Sequence, residues 1–162
     1  MLTAVHASTL SQFGYLAVVV GTYVEGEAVL VSAGAVAHAG LLSLPLVVLA
    51  AALGSFAWGQ TWFRLGRVSG PRLIAGRPAW QARAARAERW LLRSGVWFLL
   101  VGRFCLGLGT VLPALVGASG YAWRRFVVVD AIGALIWAAV FAGVGFSGAA
   151  GLRHLLGNTF AI

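Results

Sequence analysis

Glu25, Glu27 and Arg103 are the charged residues that interrupt the longest apolar stretches of this sequence. The two glutamates separate residues 1–24 from residues 28–63, and neither run contains Arg, Asp or Glu. Arg103 lies inside a third apolar stretch. A charge at membrane depth costs at least about 2.5–3.5 kcal/mol to insert, so such residues are functional candidates by default.

Glu25 and Glu27 flank Gly26. Residues two apart on a regular helix point about 200° apart, so both carboxyl groups can face one cavity only if the backbone turns. Glycine permits such a turn. Because carboxyl groups at membrane depth form proton relays, we predict that at least one glutamate exchanges protons. The alternative is that one glutamate caps a following helix by accepting its free N–H groups.

Arg103 follows the apolar run Trp97–Gly102. A guanidinium group stays charged and binds phosphate or carboxylate through paired N–H groups. We therefore predict that Arg103 binds an anionic headgroup. The alternative is an internal salt bridge to Glu25 or Glu27, which could open when the substrate arrives.

Asp130 is the remaining acid in an apolar region, five residues beyond Arg125. Exposed ion pairs are common and weak. We therefore favour a role for Asp130 as a helix cap or as the surface partner of Arg124 or Arg125, and keep it as a further site candidate.

The composition excludes several classes of protein. Of the 162 residues, 60% are apolar and 10% are charged, whereas a soluble domain carries about 25% charged residues. The net charge of +8 comes from twelve arginines on a chain that otherwise favours lipid, so a nucleic-acid-binding module is excluded. The single cysteine, the scattered histidines and the absence of nucleophile motifs predict no metal site, no cofactor and no enzyme.

Two stretches are long enough to cross a bilayer as helices, which takes about 20 apolar residues. Residues 41–63 form the first predicted span, after a break at His38-Ala39-Gly40. Residues 126–150 form the second.

A basic segment, residues 64–93, follows the first span with eight arginines and one acid. Short cytoplasmic loops collect arginine, so this segment is predicted to be cytoplasmic. Turns are expected at Gly70-Pro71 and around Gly76. Residues 79–93 place arginines on one helical face and apolar residues on the other, which predicts an amphipathic helix on an anionic leaflet.

The apolar stretches 13–37 and 96–121 contain charges and helix breakers. If 96–121 dips into the membrane and returns, both basic clusters are cytoplasmic, as the positive-inside rule prefers. The same logic makes 13–37 a re-entrant hairpin turning at Glu25-Gly26-Glu27. Each half, about 13–66 and 94–150 of a single domain 1–162, is then a hairpin plus a span, in opposite orientations. The sequence shows no residue-level repeat beyond this hydropathy match.

Non-helical backbone at membrane depth is tolerated only where protein buries it or where it lines a wet cavity. The second hairpin contains Gly107, Gly109 and Pro113 among other helix breakers. We therefore predict that this hairpin lines a cavity.

An ordered set of short motifs over about residues 13–148 resembles the DedA family of VTT-domain membrane proteins. The motifs are Glu25-Gly26-Glu27-Ala28-Val29-Leu30 with Ala33-Gly34, Leu53-Gly54-Ser55-Phe56 leading to Gly66-Arg67, Val101-Gly102-Arg103-Phe104 with Gly107, Thr110, Pro113, Gly117 and Ser119-Gly120, and Arg125-Phe126 with Gly133-Ala134 and Trp137.

The resemblance implies two opposed re-entrant hairpins in a bacterial inner membrane protein. It also implies proton-dependent translocation of a lipid phosphate such as undecaprenyl phosphate. Under this reading Glu25 and Glu27 carry protons and Arg103 meets the phosphate. Gly107, Gly109 and Thr110 complete the predicted substrate-binding set, and Gln60 is a further candidate.

The sequence departs from the family pattern at Gly59, where the family usually has an acid, and at Gly109, where it usually has a second arginine. We hypothesise that these two positions form an ion pair in the family and were lost together here. The chain also has fewer residues after the second span than many members.

These observations predict an all-α integral membrane protein with two re-entrant hairpins, two transmembrane helices and a cytoplasmic amphipathic helix. We expect a transporter or flippase for an anionic lipid headgroup or small oxyanion, coupled to protons. The alternative is a non-transporting protein that organises the membrane or maintains the envelope. For the predicted transporter, the expected partners are the lipid bilayer, the anionic substrate and protons, and no nucleic acid is expected. Its glycine-rich helix faces are compatible with a homo-oligomer.

Overall fold

The computed structural model describes residues 2–74, 77–79, 81–82, 85–86, 89, 93, 96–104 and 108–159. Within these ranges the chain is helical with short turns and has no strand, so the predicted all-α class is confirmed. The helices are α1 (Leu2–Val24), α2 (Glu27–His38), α3 (Leu44–Ile74), α4 (Val96–Gly102), α5 (Leu108–Ala118) and α6 (Trp123–Thr159).

Helices α3 and α6 contain the two segments that are long and apolar enough to cross a membrane. These segments are Leu44–Gly70, of 27 residues, and Trp123–Arg153, of 31 residues. They contain the two predicted spans, 41–63 and 126–150, except for residues 41–43. At a rise of about 1.5 Å per residue, either exceeds the roughly 30 Å of a hydrocarbon core.

The predicted turn at Gly70-Pro71 is wrong, because α3 continues through both residues to Ile74. Gly66 and Gly70 lie so close to α5 that a Cβ atom on either would collide with Ala114 or Ala118. This packing holds the segment in a helix against its local turn preference.

Helices α1 and α2 form a hairpin that turns where the sequence predicted. The backbone passes through Gly26 at φ 76°, a conformation that glycine adopts without strain. The Ser43 N–H donates to the Tyr15 hydroxyl at 2.9 Å, so the chain leaving α2 returns beside α1. The 12 residues of α2 are too few to cross a bilayer.

Helices α4 and α5 are also short, with 7 and 11 residues. Of the segment between them, residues 105–107 lie outside the described residues. Beyond α5, Arg67 of α3 donates from Nη1 to the Tyr121 carbonyl at 3.4 Å. The chain leaving α5 therefore lies beside the basic end of α3.

The chain divides into two compact units. Unit 1 comprises Met1–Ser55 and Leu135–Ile162, and unit 2 comprises Phe56–Ala134. Each unit therefore contains one helix pair, α1–α2 or α4–α5, and one part of each long helix. In unit 2, Phe63 stacks on Phe126 with ring centroids 4.3 Å apart. The two rings belong to a buried apolar cluster with Leu99, Leu112, Val116 and Val129.

Glycine contacts recur in the two units with the long helices exchanged. In unit 1, Gly34 of α2 has no room for a Cβ atom because it lies against the backbone of Ala142 in α6. In unit 2, Gly117 of α5 lies in the same way against the backbone of Phe63 in α3. Ala142 and Phe63 are each the twentieth residue of their helix.

The first helix of each pair repeats the pattern. A Cβ atom on Gly54 would meet Thr22, and one on Gly133 would lie 3.8 Å from Arg103 Nη1. Gly54 and Gly133 are each the eleventh residue of their long helix. Further recurring contacts are Gly145 with Val31 and Gly66 with Ala114, then Gly21 with Val29 and Gly102 with Leu112. These contacts therefore involve equivalent positions of the long helices in the two units.

Of the predicted amphipathic helix over 79–93, residues 79, 81–82, 85–86, 89 and 93 are described, and they are helical. Arg86, Arg89 and Arg93 are exposed, and Arg83 lies outside the described residues. Arg64, at the start of the basic segment, is described and exposed. Its guanidinium carbon lies 5.9 Å from the centroid of the Trp123 ring.

Candidate functional site

Asp130 is one of the most deeply buried polar residues described in unit 2. It is the eighth residue of α6 and only 5% of its surface is exposed. Arg124 and Arg125, by contrast, are exposed at the start of the same helix. The favoured interpretation of Asp130 as a surface partner of these arginines is wrong, because α6 turns Asp130 towards the interior of unit 2.

Arg103 directly follows α4 and is the ion-pair partner of Asp130. Its Nη1 lies 2.5 Å from Asp130 Oδ1 and 3.5 Å from the Asp130 backbone carbonyl. The side chains are 14% and 3% exposed, so the pair is largely withdrawn from solvent. The salt bridge of Arg103 therefore goes to Asp130, and the predicted alternative of Glu25 or Glu27 as its partner is corrected.

Gln60 and Trp123 extend the ion pair into a connected polar chain. Gln60 Nε2 donates to Asp130 Oδ2 at 2.8 Å, and Trp123 Nε1 donates to Gln60 Oε1 at 3.1 Å. The indole bond fixes which end of the Gln60 amide faces the carboxylate. Both carboxylate oxygens of Asp130 thus have a donor, as a buried charge requires.

Gly59 provides the space that the Asp130 carboxylate fills. A Cβ atom at Gly59 would lie 2.5 Å from each carboxylate oxygen. Any side chain at position 59 would therefore displace the Asp130 carboxylate. Gly59 and Asp130 are 71 residues apart along the chain, so no local pattern in the sequence indicates their contact.

A cavity of about 20 Å³ adjoins the ion pair. Arg103, Asp130 and Gly109 line it together with apolar residues that include Leu112 and Phe126. This volume holds about one water molecule. A Cβ atom at Gly109 would meet nothing within 4 Å, so Gly109 borders open space in this cavity.

Two of the predicted substrate-binding residues have no described contacts. Gly107 lies outside the described residues, and so does the side chain of Thr110, whose backbone belongs to α5. The hypothesis that positions 59 and 109 form an ion pair in the family stays a prediction. In this chain both positions border the Arg103–Asp130 pair.

Glu25 and Glu27 lie at the turn of the hairpin in unit 1. Glu25 is exposed, and Glu27 is partly buried in the first turn of α2. Gly26 occupies the N-cap position without a side-chain capping bond, so Glu27 favours the helix through its charge near the N-terminus. A Cβ atom at Gly26 would lie 3.8 Å from Trp137, which packs against the turn.

Comparison with known proteins assigns the chain to a family. The model of the VTT domain matches residues 24–147, which include Glu25, Gln60, Arg103 and Asp130. The inner membrane protein YohD of Escherichia coli is 37% identical over 139 residues, which cover 86% of this chain and 72% of YohD. The chain belongs to the DedA family of VTT-domain membrane proteins. The predicted family resemblance is therefore confirmed.

Two less similar DedA relatives also match most of this chain. The uncharacterized membrane protein YbfM of Bacillus subtilis is 25% identical over 147 residues, covering 84% of this chain and 91% of YbfM. The inner membrane protein YghB of E. coli is 26% identical over 132 residues, covering 78% of this chain and 59% of YghB. No solved structure matches this DedA chain.

Proposed function

We propose that this DedA protein transports an anion that carries a phosphate group, either a lipid headgroup such as undecaprenyl phosphate or a small oxyanion, across the bacterial inner membrane. The relatives named inner membrane proteins support that location. In this proposal the protein is a carrier rather than an enzyme, and proton movement across the membrane drives the transport. Arg103 binds the anion, with Gly107, Gly109 and Thr110 beside it, and Glu25 and Glu27 exchange protons.

The observation that carries this proposal is the buried Arg103–Asp130 pair. A guanidinium group and a carboxylate withdrawn from solvent within a membrane protein are expensive to place there. Arginine is suited to phosphate because its N–H groups form a planar fork. The adjoining cavity and the side-chain-free position at Gly109 lie on one side of the pair.

Glu25 and Glu27 are proposed as the proton-exchanging groups. Glu25 is exposed and Glu27 is partly buried, so the protein covers the two carboxyl groups to different extents at a single turn. Proton release at this turn would accompany the movement of the hairpins that opens the site alternately to each side.

We infer that the two hairpins are re-entrant and that the chain is an inverted repeat. The recurring contacts support this inference, since Gly34 and Gly117 pack against opposite long helices at equivalent positions. Both hairpins also have helices too short to cross the membrane. The contacts of Arg64 and Arg67 with residues 121–123 support a cytoplasmic location for both basic clusters.

Accessibility labelling tests this topology. Ser43 and Ala122, which immediately precede α3 and α6, are exposed and can be changed to cysteine singly after Cys105 is replaced by serine. A membrane-impermeant thiol reagent should reach Ser43→Cys from outside and Ala122→Cys only from the cytoplasm. Labelling of both from the same side would contradict the inverted repeat.

Reconstitution tests the transport proposal. Proteoliposomes carrying a labelled polyprenyl phosphate would compare the wild type with Arg103→Ala, Glu27→Gln and the exposed control Arg125→Ala. We expect flipping to be lost with Arg103→Ala and its response to a pH gradient to be lost with Glu27→Gln, while Arg125→Ala matches the wild type. Equal rates for all four proteins would contradict the mechanism.

The small volume of the cavity favours one alternative, a membrane-organising or envelope-integrity role without transport. A space for about one water molecule does not admit a phosphate group as it stands. Such a protein would need its glycine contacts and its membrane attachment but not the charges of Arg103 and Asp130. Full complementation of an envelope defect by a variant that lacks both charges would favour this alternative.

A further inference from the structure

The repeated packing of this chain provides an internal comparison for the Arg103–Asp130 pair. In unit 1 the residue equivalent to Arg103 is Thr22, and the residue equivalent to Asp130 is Ala51. Thr22 Oγ1 lies 3.4 Å from the Ala51 backbone carbonyl, as Arg103 Nη1 lies 3.5 Å from the Asp130 backbone carbonyl. The same contact is therefore built once with charges and once without.

This comparison argues against a purely structural role for the ion pair. Thr22 is 4% exposed and Ala51 is fully buried, so the neutral version packs at least as tightly as the charged one. Thr22 also satisfies its hydroxyl group locally, through the Val18 carbonyl at 2.7 Å. Because replacing a buried ion pair by apolar residues is often neutral for stability, packing alone does not explain Arg103 and Asp130.

The cavity determines how an anion can reach Arg103. Its volume of about 20 Å³ leaves room for water but not for an oxyanion beside an intact ion pair. Within the described lining of this cavity, an anion gains room on the guanidinium group by taking the place of the Asp130 carboxylate. Gly109, where a Cβ atom would have no neighbour within 4 Å, is the side from which space is available.

We propose that Asp130 is a tethered anion that occupies the binding site on Arg103 and is exchanged for the substrate. This inference rests on the proposed function and names the group that competes with the transported anion. An ionised Asp130 and a phosphate group exclude each other on Arg103, so the arginine is not left unpaired in either state. Asp130 is thus a specificity-determining residue that adds to the roles of Glu25 and Glu27.

Proton uptake by Asp130 makes the exchange possible without leaving a buried negative charge. When the carboxylate leaves Arg103 it takes one proton from water, and its carbonyl oxygen still accepts from Gln60 Nε2. Trp123 keeps Gln60 in this orientation. Among the described residues that line the cavity, Arg103 is the only other charged group that faces Asp130. The binding of one anion is thereby linked to the uptake of one proton.

Binding measurements on the full-length protein in detergent test this proposal. Inorganic phosphate and dioctanoyl phosphatidic acid in micelles are titrated between pH 5 and pH 8 into the wild type, Asp130→Asn, Arg103→Thr and the exposed control Arg125→Thr. Because phosphate itself titrates, the readout is the ratio of the wild-type Kd to the Asp130→Asn Kd at each pH. Binding of both probes would indicate that a free oxyanion suffices, and binding of phosphatidic acid alone would indicate a lipid headgroup.

We expect Asp130→Asn to bind at least tenfold more tightly than the wild type at pH 8, since asparagine cannot compete as an anion. The ratio should fall as the pH is lowered, because protonation of Asp130 in the wild type removes the same competition. Arg103→Thr should lose binding, and Arg125→Thr should match the wild type.

The outcomes separate this inference from the proposed function. Arg103-dependent binding that Asp130→Asn leaves unchanged or weakens at every pH would overturn the exchange of Asp130 and leave the anion carrier standing. Binding that does not depend on Arg103 would overturn both. If Asp130→Asn does not fold, calorimetry of the wild type in buffers of different ionisation enthalpy decides. Uptake of about one proton beyond that of the probe supports the proposal, and uptake of none overturns it.

Discussion

Converting the charged contact of unit 2 into the neutral contact of unit 1 gives a stability prediction. The changes are Arg103→Thr and Asp130→Ala, singly and together, which reproduce the Thr22–Ala51 arrangement. In either single variant one buried charge loses its partner. Breaking a buried pair in this way costs about 3–5 kcal/mol, whereas removing both charges avoids that penalty.

The exposures and contacts set the relative magnitudes. The Asp130 side chain is 3% exposed, and in Arg103→Thr its carboxylate keeps only Gln60 as a described donor. We therefore expect this variant to lose about 4 kcal/mol in the free energy of unfolding. With Asp130→Ala, Arg103 is 14% exposed and can partly hydrate, which places this variant nearer 3 kcal/mol. The double variant removes the acceptor of the Gln60 Nε2 group, which lowers the free energy of unfolding by about 1–3 kcal/mol.

Unfolding by a rising mole fraction of sodium dodecyl sulfate in mixed micelles provides the assay, followed by tryptophan fluorescence and circular dichroism. The exposed control Arg125→Thr should stay within about 0.5 kcal/mol of the wild type. A double variant that loses the sum of the two single losses, about 7 kcal/mol, would refute the argument that the two charges form one replaceable unit.

Three further predictions concern the glycine contacts and the glutamates. Gly34→Ala should lose about 1–3 kcal/mol in the same unfolding assay because its methyl group meets backbone, whereas Gly143→Ala, with open space, should gain up to about 1 kcal/mol; equal effects would contradict the close contact. Gly59→Ala should be destabilising by about 1–3 kcal/mol with Asp130 present and not in an Asp130→Ala background, and a loss independent of residue 130 would refute that contact. In proteoliposomes, Glu27→Gln should remove the response of polyprenyl phosphate flipping to an imposed pH gradient, and an undiminished response would count against proton exchange at this residue.

Much of the fold follows from the sequence because the membrane restricts the chain so strongly. The lengths of the uncharged stretches predicted both spans, which the structure confirms. Gly26 predicted the turn of the first hairpin, and its φ of 76° confirms that turn. The extension of α3 through Gly70-Pro71 was not predictable, since its cause is packing against Ala114 and Ala118, which are more than 40 residues away.

The site was only partly predictable for a similar reason. The apolar surroundings of Arg103 identified it as a functional candidate, but no local pattern indicates its partner. Asp130 stands close to Arg125 in the sequence, which favoured the nearby partner, and the helical register of α6 instead turns it inward. The register was available as a signal, since Asp130 lies one turn from Phe126 and Gly133, which are buried on the same face.

Glycine at position 59 and aspartate at position 130 constitute one structural feature. The Asp130 carboxylate fills the volume that a side chain at position 59 would occupy, so a carboxyl group can approach Arg103 from α3 or from α6 but not from both. In this chain the carboxylate comes from α6. Because α6 also holds Gly133 against Arg103, the acid and the space for the arginine now belong to the same helix. A movement of α6 relative to α4 would then change both together, which is what exchange of a tethered anion for a substrate requires.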